Sequence, residues 1–295
     1  MSVYNTLHFV LSHPLNRRRR IASIARVLRW QIGSRLLRWA VAVPFVNQTQ
    51  LLVEQGMSGA TGNVYCGLHE FEEMGFTLHL LRPGDVFVDV GANIGSYALL
   101  GAAAGADVYA YEPGSHAHAR LVRNVALNGF TERVRLRNAA VGERSGMARL
   151  TLNRDTGNRI ERSSGREEQS ESVEMIRLDD EPYTGCPFLM KIDVEGFELP
   201  VLTGSEKWLA DNGLAAVIVE TNGSARHYGG NDEGIHRILS AHGFAPFRYD
   251  PFTRSLEARS EQAESGNTLY VRDPNLVRAR LSSSHRYRLN TGHEI

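Results

Sequence analysis

Two cysteines, Cys66 and Cys186, are all that the chain contains, too few for a disulfide framework or a cysteine-based zinc site. They read as small buried residues or free thiols in a reducing, cytoplasmic setting. Net charge is missing too: 33 basic residues balance 33 acidic ones, which leaves no global attraction to nucleic acid. Long apolar runs are absent where they would be sought first. Between about Asn16 and Val43 arginines interrupt the apolar residues too often for a bilayer span or a signal-peptide core, and the longest uncharged apolar run, Trp39 to Val46, is eight residues. No internal repeat is visible. At 42% hydrophobic and 22% charged, the remainder is a globular chain with one sizeable domain and extensions. One shortage is local. No Asp or Glu precedes Glu54, whereas Arg17, Arg18, Arg19, Arg20, Arg26, Arg29, Arg35 and Arg38 crowd the same region.

What is present is organised around Asp85 to Gly95. Pro83-Gly84 signals a turn, and Val86 to Val90 is apolar except for Asp89, as in a central parallel strand covered on both faces. Gly91 and Gly95 bracket a turn, and Ser96 to Leu100 opens a helix whose free N–H groups face the strand end, the geometry of a nucleotide-like cofactor site. Charge narrows the choice. A dinucleotide turn reads Gly-x-Gly-x-x-Gly, but Asn93 replaces the second glycine, and Asp89 would repel a pyrophosphate while attracting an ammonium or sulfonium group. S-adenosylmethionine carries both cations and no phosphate. The next strand, Asp107 to Pro113, ends in Glu112, twenty-one residues past Gly91, where an acid can accept both hydroxyls of an adenosine ribose. That feature alone does not separate NAD from S-adenosylmethionine, and an ordinary surface acid is the plain alternative.

Ordered blocks now carry a resemblance: residues 88–95 (VDVGANIG), 111–113 (YEP), 124–129 (NVALNG), 138–142 (NAAVG), 190–198 (MKIDVEGFE) and 219–220 (VE). Over roughly residues 50 to 273 the chain resembles the FkbM family of class I S-adenosylmethionine-dependent methyltransferases. The resemblance implies an α/β, Rossmann-like, doubly wound seven-stranded sheet with its last strand antiparallel. It also implies O-methylation of a hydroxyl on a sugar, a glycan precursor or another polyhydroxylated small molecule. Asp89, Gly91, Asn93, Gly95 and Glu112 would then hold the cofactor, with Asn138 against the adenine.

A second chemical centre is Phe188 to Glu198. In a doubly wound sheet its strand lies beside the first, so Asp193 and Glu195 are expected at the same carboxyl edge as Asp89. Ionised groups are rare in a central strand without partners, and Lys191 could neutralise its neighbours in a purely structural network. Methyl transfer to a hydroxyl needs alignment and a proton acceptor. Asp193 is the first candidate base, then Glu195 and His69, although a histidine at a helix start is commonly a cap. Oxygen donors on Asp193, Glu195 and Glu220 would suit magnesium or calcium, but the spacing does not require a metal and none is expected.

The remaining expectations concern organisation: residues 1–48 as a basic helical extension, 49–273 as the methyltransferase domain and 274–295 as a tail. Ile21, Ile24, Leu28, Ile32 and Leu36 recur at helical spacing, widened by Val27, Leu37, Trp30 and Trp39. The preferred reading is a lid helix that packs this stripe on the domain; the other is a helix lying on the inner face of an anionic membrane. Residues 50–69 suggest a small hairpin, His69 to Leu81 a helix, and Arg154 to Ser170 a polar loop that is mobile or ordered by substrate. Two rivals differ in class: a nicotinamide-dependent oxidoreductase, and a membrane-associated cofactor-binding protein without catalysis.

Overall fold

The computed structural model describes residues 3–37, 39–152, 158–161, 169–183, 185–228, 231–259 and 266–295. Helices α1 (Val3–Ser12) and α2 (Arg20–Leu37) precede a hairpin of β1 (Val41–Pro44) and β2 (Gln50–Val53), then α3 (Ser58–Cys66) and α4 (Phe71–Leu80). The alternating half follows: β3 (Val86–Val90), α5 (Ser96–Ala103), β4 (Asp107–Tyr111), α6 (Ser115–Leu127) and β5 (Val134–Arg137). Strands β6 (Ala140–Val141), β7 (Gly146–Thr151) and β8 (Ser170–Ile176) form a separate three-stranded sheet. Next come β9 (Leu189–Ile192), α7 (Glu198–Thr203), α8 (Glu206–Ala210), β10 (Ala216–Glu220), α9 (Asp232–Ala241), β11 (Ala245–Asp250), β12 (Ser255–Ala258), β13 (Asn267–Val271) and α10 (Pro274–Ser282). No described helix is long and apolar enough to cross a membrane.

The main sheet runs β12-β11-β13-β10-β9-β3-β4-β5. Strands β9, β3, β4 and β5 are mutually parallel, and β13 is antiparallel to both β10 and β11. This is the expected doubly wound architecture with one addition: β12 folds back on β11, so the sheet has eight strands rather than seven. From β3 the chain steps outward through β4 to β5, then returns to β9 on the other side of β3. Ligands bind at such a reversal, outside the carboxyl ends of the strands.

Alternation along the strands sorts the core into two layers. Val88, Val90, Met190, Ile192, Val217 and Val219 pack against α7, α8 and α9. Phe87, Leu189, Ala216 and Ile218 face the other layer, with α4, α5, α6 and α10. By the same parity Asp89 and Lys191, paired across β3 and β9, project toward α4 and α5.

Several local expectations change. The hairpin spans 41–53, and residues 58–66 are helical, because Gly62 serves close packing and not a turn: a Cβ there would collide with the His69 ring. Of the apolar stripe of α2, only Val27 and Trp30 among the described residues pack on the domain. Its buried residues are Ser23, Val27, Trp30 and Ser34, and Ile21, Ile24, Leu28, Ile32 and Leu36 are exposed. Residues 274–295 are not a loose tail, since Val277, Leu281, Tyr287, Leu289 and Ile295 are buried. Much of the polar loop, at 153–157 and 162–168, lies outside the described residues. The piece between is tied down: Ile160 bridges Leu150, and its carbonyl accepts the Tyr228 hydroxyl at 2.7 Å.

Candidate active site

A cavity of about 390 Å³ opens at the carboxyl ends of β3, β4, β9 and β10. The turn after β3 builds one wall. Asn93 sits at φ 50°, Gly91 at 80° and Gly95 at 93°, a left-handed path that glycine follows freely and asparagine tolerates. Gly91 also admits no side chain, because a Cβ would overlap the Asp193 carbonyl oxygen. The two chemical centres of the sequence are thus joined backbone to backbone, with Asp193 N–H donating to the Val90 carbonyl at 3.0 Å.

Glu112 closes the turn from β4. Its carboxylate accepts the Asn93 N–H and the Gly114 N–H, both at 2.8 Å, and burial pushes it up to about 7 against these stabilising donors. Asn138 does not line the cavity. Its amide nitrogen donates to the Glu112 and Pro113 carbonyls at 2.9 Å each, fixing the backbone beneath Glu112, and Ala139, Ala140 and Val141 supply the wall instead.

Asp89 is buried, and neither of its carboxylate oxygens closes a hydrogen bond of good geometry. Burial raises its pKa to about 6, with Lys191 opposing the rise. Lys191 is itself buried. Burial works against its charge, but Asp193, Asp89 and Glu70 outweigh it and hold the ammonium above its ordinary value. Its Nζ donates to Asp193 Oδ2 at 2.8 Å and lies 4.6 Å from the centre of the Tyr97 ring. Tyr97 in turn donates its hydroxyl to Glu70 Oε2 at 2.7 Å, and Asn267 donates to Glu70 Oε1 at 2.8 Å.

At the far wall the loop after β9 brings Asp193 and Glu195 opposite Glu220. Their carboxylate oxygens lie within 4.8 Å of one another, the same three oxygen donors that the sequence offered as suited to magnesium or calcium. Glu195 is held at φ 54°, and among the described residues Asn93 and Glu195 are the two non-glycine residues lining the cavity with positive φ. Strain of that kind persists where surrounding structure imposes it, commonly at functional sites. Crowding has an electrostatic result. Burial first, then Asp193, Glu195 and Glu198, push Glu220 up to about 9, so it carries a proton at neutral pH.

His69 reaches the rim, as the sequence suggested, but its Nδ1 is buried against α3 at Gly62 without a hydrogen bond. Its ring packs on Phe9 of α1 with centroids 5.1 Å apart, and burial lowers its pKa. Sequence reasoning passed over Glu70 and Tyr97. The His69-to-Met74 run was read as a helix start, and the only signal was its density of acids. Among the described residues the wall carries six carboxyl side chains, Glu70, Asp89, Glu112, Asp193, Glu195 and Glu220, against the one ammonium of Lys191.

The model of the methyltransferase FkbM domain matches residues 89–246, more than half of the chain. The chain belongs to the FkbM methyltransferase family. Its fold is that of the class I methyltransferases, and its cofactor is S-adenosylmethionine. Among solved structures the chain is similar to methyltransferase FkbM from Methylobacillus flagellatus, at 20% identity over 72% of this chain and 52% of that one, with a TM-score of 0.44. It thus spans about half of that protein's length. It is also similar to precorrin-6y C5,15-methyltransferase from Geobacter metallireducens, at 12% identity over 75% and 93% of the two chains with a TM-score of 0.41. A third, from Streptococcus mutans and solved in complex with S-adenosylhomocysteine, gives 10% identity, 67% and 93% coverage and a TM-score of 0.40. No curated protein matches.

The residues of this FkbM-family cavity fit the cofactor. Asp89 offers buried acceptors that close no hydrogen bond of good geometry, the turn at Gly91 and Asn93 lets a ligand approach the backbone, and the acidic wall favours a cation over a pyrophosphate.

Proposed function

We propose that this protein is an O-methyltransferase acting on a hydroxyl of a sugar, a glycan precursor or another polyhydroxylated small molecule. The observation that carries the reading is the acidic cavity, six carboxyls to one ammonium among the described residues, at the carboxyl edge where β3 and β9 meet. Glu112 would accept the ribose hydroxyls, Asp89 would face the amino-acid end, and Gly91 and Asn93 would cradle the ligand from the turn that Gly95 packs against Leu121. Bound there, S-adenosylmethionine supplies an electrophilic methyl group on a sulfonium whose sulfur leaves with the bonding electron pair.

The acceptor hydroxyl must reach that methyl in line with the sulfur and lose its proton as it does so. Asp193, part-exposed on the cavity wall and ion-paired with Lys191, is the first choice to receive the proton, with Glu195 beside it. Glu220 is unsuited as base because it is already protonated; as a neutral acid it can donate a hydrogen bond to the acceptor. His69, with Nδ1 packed against Gly62, is better placed to shape the rim than to take a proton.

Calorimetric titration with S-adenosylhomocysteine and, separately, with NAD tests the cofactor site, and methyl transfer to a panel of sugars and glycan intermediates tests the acceptor class. Binding of NAD alone would overturn the charge argument built on Asp89, and binding of neither would favour a role without catalysis. The Asp193→Asn variant is expected to lose roughly 10²- to 10⁴-fold in kcat while its affinity for S-adenosylhomocysteine changes less than about tenfold. Equal losses in both would make Asp193 a cofactor or structural residue.

A further inference from the structure

Helix α2 presents its apolar stripe to solvent. At 3.6 residues per turn Ile21, Ile24, Leu28, Ile32 and Leu36 fall within an arc of about 120°. Ile21 is 86% exposed and Leu36 77%, and Trp39 just beyond the helix is 81% exposed. The opposite side, which packs on the protein, is narrow and in part polar, with Ser23, Val27, Trp30 and Ser34. The arrangement inverts that of an ordinary surface helix. Around the apolar face stand the exposed arginines Arg20, Arg29 and Arg35, with Arg17, Arg18 and Arg19 at the helix entrance, and no acid occurs before Glu54 to neutralise them.

We propose that this face docks on an anionic lipid bilayer. The apolar residues would enter the headgroup boundary, and the arginines would meet the lipid phosphates. Charge decides the occupant. A second copy packed on the same face by two-fold symmetry would bring like-charged arginines to one seam, whereas an anionic surface supplies the counter-charge. The helix is also braced to bear on a surface. The Arg26 guanidinium donates to the Asn16 side chain at 2.6 Å and to the Tyr65 carbonyl at 3.0 Å, locking α2 onto α3. Since Ala60 and Asn63 of α3 line the cavity, docking through α2 would place α2 and α3 between the lipid and the acceptor site.

Flotation of the full chain with vesicles of equal parts phosphatidylcholine and phosphatidylglycerol, against phosphatidylcholine alone, is the test. The protein is expected to float with the anionic vesicles only, less so as salt is raised, and the triple variant Leu28→Ser, Ile32→Ser, Leu36→Ser is expected to partition at least roughly tenfold more weakly. Unchanged affinity of that variant for S-adenosylhomocysteine would show that the fold survives, so this readout stands apart from the cofactor and acceptor assignments. No flotation of the parent chain, or equal flotation of the variant, would overturn the proposal. So would a dimer in sedimentation that the triple variant dissolves without any vesicle binding.

Discussion

Glu112 and Glu220 show how one cavity gives the same side chain different work. Glu112 holds two backbone N–H groups of the turn and must also be ionised to receive ribose hydroxyls. Its value near 7, and that of Asp89 near 6, both arise chiefly from burial. Binding a cation and two hydroxyls favours the ionised forms, so affinity for S-adenosylhomocysteine is expected to rise as pH goes from about 5 to about 8. The Glu112→Ala variant should bind about ten- to a hundredfold more weakly, the loss of one or two charge-assisted hydrogen bonds, and should show a flatter pH dependence. Unchanged affinity by calorimetry would show that the ribose lies elsewhere. Glu220 works the other way. A carboxyl near 9 in the fold and about 4.3 in the unfolded chain binds its proton more tightly when folded. Its contribution to stability is therefore complete below about pH 4 and is lost as pH rises through about 9. Glu220→Gln should accordingly lose fewer degrees of Tm than the parent between about pH 6 and pH 9.5. Parallel Tm curves would show that Glu220 is not the group responsible.

At the scale of elements the site is the junction of β3, its turn and the end of β9. Gly91→Ala tests that junction directly. The new Cβ must displace the Asp193 carbonyl and also sits at φ 80°, so a loss above about 2 kcal/mol is expected by urea denaturation, together with weakened binding of S-adenosylhomocysteine. A variant as stable as the parent would mean that the turn can move away from β9. This junction was legible in the sequence because short apolar strands, glycine turns and the placement of acids are local signals: Asp89, Gly91, Asn93, Glu112, Asp193 and Glu195 all line the cavity, whereas Gly95 does not and instead packs its turn against Leu121. What was not legible depends on partners far along the chain. Periodicity marked the stripe of α2 but carries no information on which face meets the protein. Glycines at 59 and 62 read as turn residues, yet Gly62 is dictated by the His69 ring. Asn138 was placed by likeness to a motif, and the contacts that direct its amide to the Glu112 and Pro113 carbonyls are tertiary. Glu70 became part of the site only through Tyr97 and Asn267, 27 and 197 residues away.

Across the whole molecule the two ends of the chain hold the cavity's outer wall together. The C-terminal segment returns to the opening hairpin: Leu289 bridges Val46, the Asn47 N–H donates to the Arg288 carbonyl at 2.7 Å, and the Asn290 N–H donates to that of Phe45 at 3.0 Å. It also reaches the helices beside the cofactor. The Asn290 amide donates to the Asn63 carbonyl at 3.1 Å, and Arg19 donates to the Thr291 carbonyl at 3.2 Å, which ties α3 and the start of α2 to the same segment. Tyr287, Leu289 and Ile295 are buried, and at about 1.5–3 kcal/mol for each buried large apolar side chain their joint contribution is comparable to the roughly 5–15 kcal/mol that holds a typical domain folded. Removing residues 283–295 should therefore abolish cooperative unfolding rather than trim a tail. The milder Leu289→Ala variant is expected to lose about 2–5 kcal/mol in urea denaturation. Because Asn63, on the cavity wall, is held by the neighbouring Asn290, the same variant should bind S-adenosylhomocysteine more weakly at temperatures where it remains folded. A large stability loss with unchanged affinity would separate the two roles, leaving the C-terminal return as a brace for the hairpin alone and the cavity wall as the property of α3 and the β3 turn.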